Sequence, residues 1–223
     1  MNVLGLIETH ATPLLAIGAE PPPAPRWNQD WFPRLDAAAA YAMVREARPR
    51  RIVEVGSGHS TRFLARAVAD GGLGTRITAI DPRPRATIRG LDAVEWLQTH
   101  VETLDRRPFD ALGANDILFI DSSHQLKPGG DVDFLLHEVI PRLARGVRVH
   151  FHDIFLPDDY PAQWAWRRYD EQRAVDGLLK KGLCRSDFSS HATLKSPEAI
   201  RGVLARLPLM PGAVESSLWL TRN

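Results

Sequence analysis

Acidic and imidazole side chains recur at the ends of four short apolar stretches of this sequence. They are Glu54 with the turn Gly56-Ser57-Gly58, then Asp81, then Asp121 with the following Ser-Ser-His124, and finally the pair His152-Asp153. Carboxylates accept hydrogen bonds and bind cations, and a histidine with an ordinary pKa of about 6.5 can take up a proton near neutral pH. The pattern therefore predicts one binding or catalytic site built from several strand ends.

The elements that would position these residues alternate along the chain from residue 35 onwards. Helices are predicted over 35–47, 60–69, 132–143 and 164–181, and strands over 51–55, 76–80, 94–97, 116–120, 147–151, 183–189 and 214–221. This alternation predicts an α/β, Rossmann-like doubly wound fold, with a mostly parallel seven-stranded sheet and helices on both faces. Ligands bind beyond the carboxyl ends of such strands, which is where the polar residues fall.

Residues 1–34 are predicted to be an N-terminal extension and residues 35–223 the α/β domain. The run Pro21–Pro25 favours an extended polyproline segment, and Trp27 and Trp31 follow it. We expect the tryptophans to pack on the domain. The extension is thus a candidate cover for the substrate side and a candidate element of a homodimer.

Composition limits the kinds of partner. Lys plus Arg number 28 and Asp plus Glu 27, a net charge of +1, so no nucleic-acid partner is expected. The local cluster Arg83, Arg85 and Arg89 could still meet an anionic ligand. The single cysteine, Cys184, is expected to be a buried thiol. With no basic leader before Ile17 and no long apolar run, we expect a cytoplasmic protein with no membrane partner.

The turn after the first predicted strand has the pattern Glu-x-Gly-x-Gly-x-Ser over 54–60. Glycines between a strand and a helix let the backbone approach a ligand closely. The dinucleotide fingerprint needs a third glycine at position 61, which is Thr61. The pattern resembles motif I of the class I S-adenosylmethionine-dependent methyltransferases. A ligand-free turn and a nicotinamide enzyme are the two weaker interpretations.

The resemblance implies a cofactor site for S-adenosylmethionine. Its sulfonium and ammonium groups are cationic, so an acid at the turn suits them, and Asp81 is placed to accept hydrogen bonds from the ribose hydroxyls. The adenine would lie near Glu102. The cofactor-binding residues implied are Glu54, Gly56, Ser57, Gly58, Ser60, Asp81, Glu102 and Asp121.

The segments after the fourth and fifth strands resemble the cation-dependent small-molecule O-methyltransferases, in an uncharacterised bacterial branch. In that group an acid after strand four and a polar pair after strand five bind a divalent ion, usually Mg²⁺. The resemblance implies Asp121, His152 and Asp153 as metal ligands, with Asp121 and His124 as catalytic residues and His124 as the general base. Four aromatic residues are candidates for a wall around the acceptor, and the alternative, favoured for at least two of them, is that they pack the predicted helix 164–181 onto the sheet: Phe155, Tyr160, Trp164 and Trp166.

His152 departs from the family pattern, which has an oxygen ligand at this position. Mg²⁺ prefers oxygen donors, so a histidine favours Mn²⁺, Zn²⁺ or no metal at all. The favoured activity is methyl transfer to a hydroxyl of a sugar or secondary metabolite. The alternatives are a metal-independent N- or C-methyltransferase and a cofactor-binding relative without catalysis.

Overall fold

A single seven-stranded sheet organises the chain, and the computed structural model describes all 223 residues. The strands are β1 (Arg51–Val55), β2 (Arg76–Ile80), β3 (Val94–Leu97), β4 (Ile117–Ile120), β5 (Arg148–Phe151), β6 (Cys184–Ser189) and β7 (Leu218–Arg222). Their order is β3-β2-β1-β4-β5-β7-β6. Strands β1 to β5 pair in parallel, and β7 is antiparallel to both of its neighbours. The predicted fold class is confirmed.

Eight helices connect or cover the strands. They are α1 (Val3–Thr9), α2 (Ala11–Ala16), α3 (Arg34–Ala47), α4 (His59–Asp70), α5 (Arg107–Asp110), α6 (Asp131–Asp133), α7 (Glu171–Lys180) and α8 (Ser190–Leu194). Helix α6 continues as a π-helical stretch over Phe134–Val139 and a 3₁₀ turn over Ile140–Arg142, which together cover the predicted helix 132–143. No helix is both long and apolar enough to cross a bilayer.

Two apolar cores lie on opposite faces of the sheet. Successive side chains of a strand point to opposite faces, and β4 shows this directly. Ile117 and Phe119 belong to the core that includes α3 and α4, whereas Leu118 and Ile120 belong to the core on the other face. Because both faces are covered, β4 is apolar and buried throughout, whereas β1 and β5 each bury one polar side chain, Glu54 and His150.

The segment predicted as an N-terminal extension shares the first of these cores. Val3, Ile7 and Leu14 are buried together with residues of α3 and α4. Trp27 is also buried, and its ring centroid lies 4.9 Å from that of Phe63 in α4. Residues 1–34 therefore fold against the sheet and its helices.

The helix predicted over 164–181 is two separate elements, so that prediction was wrong in extent. A 3₁₀ turn spans Ala162–Arg167, and α7 begins only at Glu171. Between them Arg168 has the left-handed φ of 56°, which a continuous right-handed helix does not contain. Arg167 and Glu171 therefore belong to different elements, although both contribute to the site described next.

Candidate active site

The turn between β1 and α4 brings the backbone of two strands into contact. Gly56 has a φ of +77°, and a Cβ built there would lie 1.9 Å from the carbonyl oxygen of Asp121. Only glycine fits both the dihedral and the space. The turn is therefore held against the end of β4, and its backbone lines an open cleft.

Glu54 does not face this cleft. Its carboxylate is fully buried and accepts hydrogen bonds from Ser60 Oγ at 2.7 Å and from Thr61 Oγ1 at 2.6 Å. Burial raises the pKa of Glu54 to about 8, despite these two hydrogen bonds. Glu54 and Ser60 thus hold the start of α4 and do not line the cleft, and a direct cofactor contact of either residue stays a prediction.

The cleft beyond the turn has a volume of about 840 Å³. Gly56, Ser57, Asp81, Glu102 and Asp121 line it, so five of the eight predicted cofactor residues share one cavity. Gly58 does not line it; its amide donates to Thr61 Oγ1 at 2.9 Å.

The Asp81 carboxylate is fixed at the edge of this cleft. Oδ2 accepts from the Ser57 amide at 2.6 Å, and Oδ1 accepts from the Arg83 amide at 2.6 Å. Oδ2 also accepts from Ser57 Oγ at 3.2 Å, whereas Oδ1 keeps a free lone pair, so Asp81 can still accept from a ligand hydroxyl. The glycine cradle and this oriented acid fit the adenosyl group that the sequence predicts.

His124 lies at the junction of the site's acidic side chains. Its Nε2 is 3.3 Å from Asp121 Oδ1 and 3.6 Å from Asp153 Oδ2. Its Nδ1 is 2.9 Å from Glu171 Oε2, and both side chains of that pair are buried. Glu171 therefore orients the imidazole so that Nε2 faces Asp121 and Asp153.

His152 has a similar arrangement from the opposite side. Its Nε2 is 3.2 Å from Asp36 Oδ2, and its Nδ1 is 3.5 Å from Asp121 Oδ1 and 3.6 Å from Asp153 Oδ1. Asp36 in α3 is completely buried and also accepts from the amides of Ser216 and Ser217, both at 2.9 Å. Asp36 thus anchors His152 to the segment before β7.

Two imidazoles in this cluster face four carboxylates, so acidic groups are in excess. Burial by itself would lower the pKa of His124, but its hydrogen bonds to Asp121 and Glu171 outweigh burial and hold that pKa well above the ordinary value. Burial is likewise outweighed at His152, whose pKa is raised by Asp153 and Asp121. Burial opposes ionisation of Asp121, yet the adjacent His152 and His124 hold its pKa well below the usual range.

A second, smaller cavity of about 170 Å³ adjoins the cofactor cleft. His124, His152 and Asp153 line it, and Asp121 lines both cavities. The structure therefore brings the four predicted catalytic and metal residues together at the boundary between a large cleft and a small pocket. This geometry suits transfer of a group from one bound molecule to another.

This chain resembles known proteins both in sequence and in fold. A family model described as a methyltransferase domain matches residues 53–154, which run from β1 past the His152-Asp153 pair. Residues 53–154 thus resemble a methyltransferase domain, which agrees with the S-adenosylmethionine-dependent methyltransferase that the sequence predicts.

Solved structures share the fold of this chain at low identity. The methyltransferase PaMTH1 of Podospora anserina, bound to S-adenosylhomocysteine, is 16% identical, with 100% of this chain and 88% of that chain covered and a TM-score of 0.54. The O-methyltransferase TomG of Streptomyces achromogenes, involved in tomaymycin synthesis and bound to S-adenosylmethionine, is 16% identical, with coverages of 100% and 90% and a TM-score of 0.50. An apo structure of CmcI is also 16% identical; the alignment covers 68% of this chain but only 63% of that one, with a TM-score of 0.46. No curated protein matches the sequence significantly.

The residues predicted to bind a metal have suitable types but not a suitable arrangement. Asp121, His152 and Asp153 lie close together, yet no group of three or more His, Cys, Asp or Glu side chains is placed to hold a metal ion. The carboxylate oxygens face imidazole nitrogens instead. The residues as placed do not form an oxygen-rich Mg²⁺ site, and the metal stays a prediction.

Three residues of this site were missed in the sequence analysis. Asp36 and Glu171 orient the two histidines, and Arg167 lines the small pocket. Asp36 lies in an Ala-rich helix and Glu171 begins another, so neither follows a strand.

Other residues of the pocket had been singled out from the sequence. Arg85 belongs to the cluster expected to meet an anionic ligand, and Trp31 to the segment expected to cover the substrate side; both line the pocket. Of the four aromatic residues predicted to form an acceptor wall, Trp164 lines the pocket, whereas Phe155, Tyr160 and Trp166 do not.

Proposed function

We propose that the protein is an S-adenosylmethionine-dependent methyltransferase that acts on a hydroxyl group of a small molecule, such as a sugar or a secondary metabolite. The position of His124 carries the proposal. Its imidazole lines the small pocket, is oriented by Glu171, and faces Asp121 at the boundary with the cofactor cleft. A histidine backed by a buried carboxylate is a general base suited to a hydroxyl, which is a poor nucleophile until its proton is removed.

Bound S-adenosylmethionine would supply a methyl group on a cationic sulfur, ready for attack by the acceptor oxygen. In the proposed reaction the neutral form of His124, which its raised pKa restricts to alkaline pH, accepts the hydroxyl proton at Nε2, while Glu171 stabilises the imidazolium that forms. Asp121 and Ser122 line both cavities and would position the acceptor oxygen beside the cofactor cleft. Alignment of the reacting atoms provides the rest of the acceleration.

His152 would provide the positive charge that a metal ion supplies elsewhere. It lies between Asp36, Asp121 and Asp153, and these carboxylates favour its protonated form. An imidazolium at this position stabilises negative charge that develops on the acceptor oxygen.

The comparison with TomG supports the acceptor class, because that protein is an O-methyltransferase involved in tomaymycin synthesis. At 16% identity, the likeness between TomG and this chain shows a shared fold and no more. The hydroxyl acceptor therefore depends on His124 and Glu171, whose side chains are placed for proton removal.

The test combines cofactor binding with turnover on a panel of hydroxylated sugars and phenols. We expect S-adenosylhomocysteine to bind in calorimetry and at least one hydroxyl compound to be methylated. His124→Asn should lower turnover about 100-fold or more while leaving S-adenosylhomocysteine affinity unchanged. The matched control is His137→Asn, an exposed histidine paired with Asp133 and remote from the cluster in its contacts.

Three outcomes would contradict the proposal in different ways. Absence of S-adenosylhomocysteine binding at millimolar concentration would refute methyl transfer as a whole. Binding without turnover of any hydroxyl compound would favour a non-catalytic relative, and methylation of amines or carbon acceptors alone would favour the other class of transferase. Activity lost on chelation and restored by Mn²⁺ or Zn²⁺ would establish the metal role of Asp121, His152 and Asp153.

A further inference from the structure

The small pocket beside His124 carries two arginines that the proposed proton transfer does not use. Arg85 lies in the loop after β2, and Arg167 ends the 3₁₀ turn Ala162–Arg167. They are far apart in sequence, yet both line the cavity that holds His124 and Asp153. The pocket thus combines the acidic and imidazole cluster with two cationic side chains.

Each arginine is stacked on a tryptophan of the same pocket. The guanidinium carbon of Arg85 lies 4.0 Å from the ring centroid of Trp31, and that of Arg167 lies 4.2 Å from the centroid of Trp164. Stacking occupies the face of a guanidinium and leaves the N–H groups along its edge available. The tryptophans therefore hold both cations in a fixed orientation without using their hydrogen-bond donors.

The donors of the two arginines are almost entirely unused within the protein. No carboxylate lies within 4.0 Å of either guanidinium, although many other arginines of the chain form such pairs. The Arg85 side chain makes no hydrogen bond. Arg167 donates once, from Nη1 to Tyr169 Oη at 3.1 Å, and its buried Nε has no partner.

The acids of the same pocket do not compensate these two charges. Asp121 and Asp153 face the imidazoles of His124 and His152. Asp30 also lines the pocket, and it forms no ion pair with either arginine. Two oriented guanidinium groups without a counter-charge are the arrangement that binds a carboxylate or phosphate in a bidentate manner.

We propose that the methyl acceptor is a small anionic hydroxyl compound, whose carboxylate or phosphate group is bound by Arg85 and Arg167 while its hydroxyl lies at His124. The proposal rests on the proposed function and specifies its substrate class. The pocket volume of about 170 Å³ suits an acceptor of one ring or a short chain.

Calorimetry with simple probes tests the anion site, with and without saturating S-adenosylhomocysteine. The probes are 3-hydroxybenzoate, its uncharged methyl ester, and inorganic phosphate. We expect at least one of the two anions to bind at least 10-fold more tightly than the ester. Arg85→Gln and Arg167→Gln should each weaken that binding by about 10- to 150-fold and leave the affinity for the ester unchanged.

The control is Arg168→Gln, since Arg168 is exposed, adjoins Arg167 and does not line the pocket. It should bind the anions like the unmodified protein. Tighter binding of 3-hydroxybenzoate than of phosphate indicates a carboxylate acceptor, and the reverse order indicates a phosphorylated one. Equal binding of the ester and both anions, or anion binding unaffected by both arginine substitutions, would overturn the proposal.

The same measurements separate this proposal from the proposed function. Anion binding that depends on the two arginines but is never followed by methyl transfer would support the anion site and contradict O-methyl transfer. Weakened S-adenosylhomocysteine binding in Arg85→Gln, with unchanged anion binding, would assign Arg85 to the cofactor and overturn its role here. Methylation of neutral hydroxyl compounds only would support the transferase and overturn the anionic acceptor.

Discussion

The pairing of His124 with Glu171 gives a prediction that needs no knowledge of the acceptor. The substitution Glu171→Gln keeps the shape of the side chain and removes its charge. Glu171 Oε2 lies 2.9 Å from His124 Nδ1, with the two side chains only 1% and 5% exposed. Solvent therefore screens the attraction between the two charges only weakly. The variant loses the whole charge-assisted hydrogen bond between them.

The expected magnitude follows from the strength of that bond. A hydrogen bond to a charged group contributes about 1.5–3 kcal/mol, and one pKa unit corresponds to about 1.4 kcal/mol. The loss of that hydrogen bond should therefore lower the pKa of His124 in Glu171→Gln. The direction is downward because the ionised carboxylate favours the imidazolium.

The assay is an NMR titration of protein labelled at the histidine rings, carried out in the presence of a chelator. The His124 signal is assigned from its absence in His124→Asn. Asp176→Asn serves as the control, because Asp176 lies on the same helix but pairs with Lys180. An unchanged His124 titration in Glu171→Gln would refute the orienting role of Glu171.

The same pair has a consequence for stability as a function of pH. The pKa of His124 is raised in the folded protein, so its protonation stabilises the fold fully below the unfolded pKa of about 6.5. That contribution is lost as pH rises through the higher folded pKa. Denaturant titrations should show this loss above pH 6.5 in the unmodified protein and a smaller one in Glu171→Gln; an identical pH dependence of the two would contradict it.

Three further substitutions test the frame around the site. Gly56→Ala should lower the free energy of unfolding by about 1–3 kcal/mol, because the added methyl group would overlap a backbone carbonyl. Gly177→Ala, which has open space around it, should not destabilise the protein. Equal melting temperatures of the two variants would refute this prediction. Glu215→Ala should cost about 3–5 kcal/mol in chemical denaturation, since it leaves the buried Arg34 without its ion-pair partner at 2.9 Å, and a loss below 1 kcal/mol would contradict that estimate. Asp81→Asn should weaken S-adenosylhomocysteine binding about 10-fold or more in calorimetry without changing the melting temperature of the free protein. Unaltered affinity would show that Asp81 does not bind the cofactor.

Local pattern was sufficient to predict most of the fold. The strands are short, apolar and bounded by turn residues, so their positions agree with prediction within a few residues at each end. The helix predicted over 164–181 failed because the spacing of apolar residues does not reveal the left-handed residue at Arg168. Helical spacing likewise did not reveal that residues 1–34 contribute Val3, Ile7 and Leu14 to the core.

For the site, sequence by itself determined which strand ends carry chemistry, since the carboxyl ends of parallel strands must meet at one edge of a sheet. It correctly grouped Asp81 with the glycine turn, and Asp121 with His124 and the His152-Asp153 pair. Only the tertiary structure decided what each side chain faces. Glu54 turned inward to the start of α4, because its carboxylate finds two hydroxyl donors there.

The partners that set the behaviour of the two histidines come from distant parts of the chain. Glu171 is 47 positions from His124, and Asp36 is 116 positions from His152. Arg85 and Arg167 reach one pocket from two unconnected loops. A local sequence motif records the type of a side chain and its place on a strand, but the distance between charges is created only when the chain folds.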